Sequence, residues 1–155
     1  MRQKIRIGCL VLASAMTFDA PATGYVIDVK TGRLVDCGLT MGYMTNLALM
    51  RGNEGQARLY IFQYARSMAA LFAQNYENGA VSGERTEAWR ARSANITRFL
   101  DQNEARHAAI IDGCRSVIQE AVDEPRVRSS QMWGKSFNET VEAMAQKSRA
   151  QYGLR

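Results

Sequence analysis

Proline is nearly absent from this sequence. Only Pro21 and Pro125 occur in 155 residues. A chain with so few helix breakers, rich in Ala, Met, Gln, Glu and Arg, is a helix former. Histidine is scarcer still, with His107 alone, and cysteine is limited to Cys9, Cys37 and Cys114. These shortages exclude several chemistries. A c-type haem needs CxxCH, which does not occur. Carboxylate-bridged di-iron bundles need two E-x-x-H turns, and Glu104 with His107 supplies one. A structural zinc site takes four ligands from Cys and His, and only three such residues, Cys37, His107 and Cys114, would remain once an N-terminal leader is removed. No serine sits in a nucleophile elbow, and no glycine-rich phosphate loop follows a strand. Glu84 and Glu87 fall in the first turn of a predicted helix, where carboxylates oppose the helix dipole and need no catalytic role. The chain is therefore expected to be non-enzymatic and to hold no cofactor and no metal.

What the sequence does have begins with "MRQKIRIGCLVLASAMTFDAPA". Arg2, Lys4 and Arg6 precede an uncharged apolar stretch over 7–18, and Ala20-Pro21-Ala22 presents small residues to a signal peptidase. Residues 1–22 are expected to be a signal peptide that is removed, and the stretch is shorter than the ~20 apolar residues that cross a bilayer. Cys9 then leaves with the leader. Of 20 basic and 15 acidic residues, the leader takes Arg2, Lys4, Arg6 and Asp19, which leaves 17 against 14, a mild excess of +3. The charges alternate in sign, so neither a nucleic-acid nor an anionic-lipid surface is indicated. Export to the periplasm or beyond permits disulfides, and the remaining Cys37 and Cys114 are expected to pair.

Residues 23–35 contain "GYVIDVKTGRLV", whose Val26, Ile27 and Val29 favour extended structure, with a turn at Lys30-Thr31-Gly32-Arg33. An extended or hairpin lead-in is expected there, followed by one helical domain over 36–155. Cys37, Met41, Met44 and Ala48 share a helix face. Gly38 and Gly42, one turn apart, would admit a close neighbour. Arg51-Gly52-Asn53-Glu54-Gly55 breaks the first helix, with Asn53 as the next N-cap. Ala57, Ile61, Ala65, Met68 and Phe72, with Tyr64 and Leu71 beside them, mark the second buried face. Asn78-Gly79 supplies its stop, and Ser82 caps the third helix.

From 84 to 122 two heptad series run side by side. One is Trp89, Ile96, Asn103, Ile110 and Val117; the other is Ser93, Leu100, His107, Cys114 and Ala121. Asn103 and His107 form a polar layer within this seam. A straight helix here would hold Cys114 roughly 30 Å from Cys37 in an up-and-down bundle, at 1.5 Å of rise per residue. A disulfide needs Cα atoms about 4.4–6.8 Å apart. Two arrangements meet this requirement. The first two helices lie end to end along one long straight partner, which the unbroken heptad phase favours. Alternatively, the third helix breaks near Leu100-Asp101-Gln102-Asn103, with Asp101 capping a new helix and Glu104 at the capping-box position. The compactness of small domains favours the break, which is the expectation adopted. Glu124-Pro125 ends the segment. A last helix is expected over 130–152, with Trp133, Phe137, Val141, Met144 and Tyr152 on its apolar face. Tyrosines, tryptophans and methionines at helical spacing are read as core and rim.

The fold expected is all-α: a small bundle of four or five helices with a short β-like or irregular N-terminal segment. The function expected is an exported, non-enzymatic protein that binds another protein of the cell envelope, as chaperone, inhibitor, immunity or accessory factor. The alternative is a small-ligand or metal-binding bundle using the Asn103/His107 layer.

Overall fold

A computed structural model describes residues 29–75 and 83–154. The leader and its cleavage site, residues 23–28, the Asn78-Gly79 stop and the Ser82 cap lie outside the described residues. Six α-helices occur within them: α1 (Val29–Met50), α2 (Glu54–Asn75), α3 (Gly83–Gln102), α4 (His107–Asp123), α5 (Pro125–Arg128) and α6 (Phe137–Gln151). A 3₁₀ turn (Glu104–Arg106) joins α3 to α4, and two short strands, β1 (Gln131–Met132) and β2 (Lys135–Ser136), join α5 to α6. The protein is predominantly helical, as its composition implies. No helix among the described residues is long and apolar enough to cross a membrane.

α1 and α2 form a helical hairpin that carries the core. The turn between them closes as a Schellman motif: the Gly52 N–H donates to Leu49 O (2.9 Å) and the Asn53 N–H to Ala48 O (2.8 Å). Gly52 takes φ +69°, a conformation open to glycine without penalty. Asn53 then caps α2, its Oδ1 accepting from the Gln56 N–H at 3.0 Å. Farther along, α1 and α2 touch at Gly38, where a Cβ would stand 2.7 Å from Ser67 Oγ and 2.8 Å from Met68 Cε. Ser67 answers this tight approach by donating its hydroxyl to Tyr64 O at 2.8 Å.

Cys37, Met41, Met44 and Ala48 are all buried, as are Ala57, Ile61, Ala65 and Met68 opposite them. α4 lies across both helices with Ile110, Ile111, Cys114 and Ile118 buried, and α6 packs on α2 through Phe137, Val141 and Ala145. α3 leans chiefly on α1, where it buries Ile96 and Leu100.

The structure departs from the sequence reading in four places. Residues from Val29 onward, expected to be extended up to residue 35, are already helical. Burial of Leu34, Val35 and Cys37 against the hairpin overrides the β preference of the valines. Second, the long third segment does break, but at Asn103 rather than by an Asp101 cap: Asp101 stays in the last turn of α3, and no side chain caps the 3₁₀ turn or α4. Third, the helix expected from residue 130 starts at Phe137, because Ser136 and Glu139 form a complete capping box there. The residues before it turn back as a β-hairpin. Fourth, a separate short helix, α5, starts with Pro125 at its N-terminus after an extended Glu124, which raises the helix count above four or five.

Candidate functional site

The two cysteines meet. Cys37 of α1 and Cys114 of α4 form a disulfide with Cα atoms 5.0 Å apart, and both are buried. The break at Asn103 makes this possible, since it folds α4 back along α1. With its sulfur oxidised and its surface covered, Cys114 is no nucleophile.

Beside the disulfide sits a carboxylate that the sequence did not single out. Asp36 is 2% exposed. Arg92 of α3 grips it with two bonds, Nε donating to Oδ1 and Nη2 to Oδ2, the latter at 3.0 Å. The same Nη2 donates to Gly32 O at 3.1 Å, which ties α3 to the first turns of α1. Burial pushes the Asp36 carboxyl above its ordinary range, and the Arg92 hydrogen bond and charge pull it partly back. Both its oxygens are committed to the guanidinium. The pair therefore pins two helices together and holds no acid or base ready for a substrate.

The polar layer of Asn103 and His107 lies at the helix break. Asn103 Nδ2 donates to Phe99 O at 2.8 Å, and His107 Nε2 stands 2.9 Å from Leu100 O. A carbonyl only accepts, so Nε2 carries the proton. Asn103 thus serves a carbonyl of the last turn of α3, and His107 adds a second bond to Leu100 O, which also accepts from the Asn103 N–H at 3.0 Å. Around them, Tyr43 donates to Asp101 Oδ1 at 2.5 Å, and Arg51 Nη2 to Glu104 Oε1 at 2.6 Å. The bond to Asp101, with burial second, pushes the Tyr43 phenol up to about 12. Tyr43 also meets the His107 ring edge-on, centroids 6.1 Å apart. Glu104 and His107, the E-x-x-H pair, therefore face different partners. Among the described residues no three His, Cys, Asp or Glu side chains cluster closely enough to hold a metal ion.

The least expected feature is the hairpin before α6. Gln131 pairs with Ser136 and Met132 with Lys135, so Trp133 and Gly134 form a two-residue loop. Both have positive φ, 53° and 72°, the signs of a type I′ turn. Gly134 takes this conformation freely. For Trp133 the left-handed conformation costs roughly 1–2 kcal/mol. The strained residue is also 60% exposed. Its ring meets Phe72 of α2, itself 39% exposed, in an edge-to-face pair with centroids 5.6 Å apart. Residues 125–138 carry Arg126, Arg128 and Lys135, all exposed, and no acidic residue. The result is an exposed aromatic knob at a turn whose nearby chain carries three exposed basic residues, with Glu139 of the capping box beside Lys135. Trp133, expected on the apolar face of the last helix, stands instead at an exposed turn; the Trp-Gly dipeptide just before Ser136-x-x-Glu139 is the sequence signal for it.

Compared with known proteins, the chain matches no family model, no curated protein and no solved structure.

Proposed function

We propose that the chain is an exported, non-enzymatic helical protein that binds another protein of the cell envelope, acting as a chaperone, inhibitor, immunity or accessory factor in the periplasm or outside the cell. The observation that carries this reading is Trp133. A bulky ring held at a strained, exposed turn position is a poor choice for stability alone, and strain of this kind collects where function needs it. Tryptophan and arginine are also the side chains most enriched among residues that dominate binding energy. Arg128 and Lys135, both exposed, stand five and two positions from Trp133 in the chain, which favours a partner surface that is acidic with an apolar pocket. The Cys37–Cys114 staple supports an oxidising location.

The test compares the disulfide-bonded protein with Trp133→Asn, which suits the left-handed turn position better. Envelope extract is passed over each. The reading expects a protein retained by the parent and lost from the variant, while circular dichroism stays unchanged. Equal retention by both would remove Trp133 from the interface. A small-ligand or metal-binding bundle using the Asn103/His107 layer is the second reading. A groove of about 310 Å³ beside His107, floored by Met44 and Ile111, supports its ligand form. The engagement of both polar side chains with backbone carbonyls counts against its metal form. It expects His107→Ala to abolish uptake.

A further inference from the structure

A second cleft, also of about 310 Å³, lies between α1, α2, α3 and the end of α6. Its chemistry differs from that of the groove beside His107, which includes Arg51, Asp112 and Arg115. None of the residues lining the second cleft is charged. Three are tyrosines, Tyr43, Tyr64 and Tyr152, and the Tyr64 ring stands over Gly42, where a Cβ would lie 3.9 Å from it. Leu39 and Ile61 are the aliphatic residues of the lining. The remainder are amides and hydroxyls. The side chains of Asn46 and Gln151, and the hydroxyls of Ser93, Thr97 and Ser148, make no hydrogen bond to another described residue.

We propose that this cleft binds an uncharged saccharide unit. A charged ligand would find no counterion here, and the loss of its hydration would go uncompensated. A purely aliphatic ligand would cover amides and hydroxyls without bonding them, at a penalty for each. A pyranose ring meets both demands. Its apolar C–H face packs on aromatic rings, and its rim of hydroxyls both donates and accepts, as neutral amides and hydroxyls do. Gly42 fits this use. Unlike Gly38, it is not forced by helix packing, since a methyl group there meets Tyr64 only at ordinary contact distance. The missing side chain instead leaves room in the cleft.

The test is a titration of the ¹⁵N-labelled, disulfide-bonded protein followed by amide chemical shifts. The probes are maltose, cellobiose and N,N′-diacetylchitobiose, with glucuronate and adenosine as counter-probes. At least one neutral disaccharide is expected to shift Gly42, Asn46, Tyr64 and Gln151 saturably, with a dissociation constant on the order of 1 mM. Thr97→Arg, an exposed substitution that adds bulk and charge to the rim, is expected to weaken that binding about tenfold or more. Gly42→Ala is expected to weaken it too without lowering the melting temperature, which separates binding from folding. The proposal is overturned if no neutral disaccharide gives saturable shifts at these residues. It is equally overturned if both variants bind undiminished, or if glucuronate or adenosine binds as tightly as the best disaccharide. None of these outcomes bears on the protein-binding role of Trp133.

Discussion

Replacing Cys37 and Cys114 together by alanine removes the one covalent link between α1 and α4. The two residues are 77 apart in sequence. Closing a loop of that length in the unfolded chain gives a chain-entropy stabilisation of about 4.5 kcal/mol. That is a large part of the roughly 5–15 kcal/mol that holds a domain of this size together. The folded state should lose little else, because alanine fits the buried positions and the Asp36–Arg92 pair still joins α1 to α3. With a urea m-value of about 2 kcal/mol/M, the transition midpoint should fall by about 2 M in the double variant. Adding reductant to the parent should shift it similarly, and reductant should not move the variant. A fall of less than about 1 kcal/mol, with no parent thiol open to alkylation before reduction, would refute the reasoning. It would mean that the staple does not constrain the unfolded chain.

Other outcomes follow from single contacts. Gly38→Ala puts a methyl group against Ser67 Oγ and Met68 Cε, so those side chains must shift or α1 and α2 must separate; a loss of about 1–3 kcal/mol is expected, partly recovered by adding Ser67→Ala, as urea melts of the three variants would show. Asp36 has a raised folded-state pKa, so the native state takes up its proton before the unfolded chain does. The contribution of this group to stability is full below the ordinary value of 3.8 and is lost as pH rises through the raised one. Asp36→Asn should flatten the pH dependence of stability across that window, which melts at several pH values would reveal. Thr140 is buried and its hydroxyl has no partner among the described residues. Thr140→Val should therefore be neutral or stabilising, by up to about 1 kcal/mol in a thermal melt.

Much of the fold can be read from the chain alone, and the reasons differ by region. The breaker at Gly52-Asn53 and the buried face of α1 are local signals of period and capping and appear as read. The face of α2 does so through Ala57, Ile61, Ala65 and Met68, whereas Phe72, expected on it, is 39% exposed and meets Trp133 instead. The break in the third segment is not a local signal. The heptad phase runs straight through it, and only the requirement that Cys37 reach Cys114 exposes it. The Asn103/His107 layer was visible as polarity within an apolar series, but its work on the carbonyls of Phe99 and Leu100 depends on a break whose position the sequence left approximate. Two features stayed hidden. Val29 favours a strand in isolation and stays exposed, while burial of Leu34, Val35 and Cys37 within the bundle carries Val29–Met50 as one helix. Trp133 reads as core because its type is usually buried; its exposure follows from a turn set by Gly134 and by the cap at Ser136. Asp36 was legible as a residue and not as a partner, since Arg92 approaches from a helix 56 positions away.

The claim that the protein works by gripping another protein with the Trp133 knob is tested most directly by photo-crosslinking in intact cells. A benzophenone side chain would be placed at position 133, and in a control at Lys147, an exposed position on α6. The account predicts one discrete crosslinked species, carrying a single envelope protein with an acidic face, from position 133 and not from position 147. No crosslink from position 133, or the same products from both positions, would contradict it.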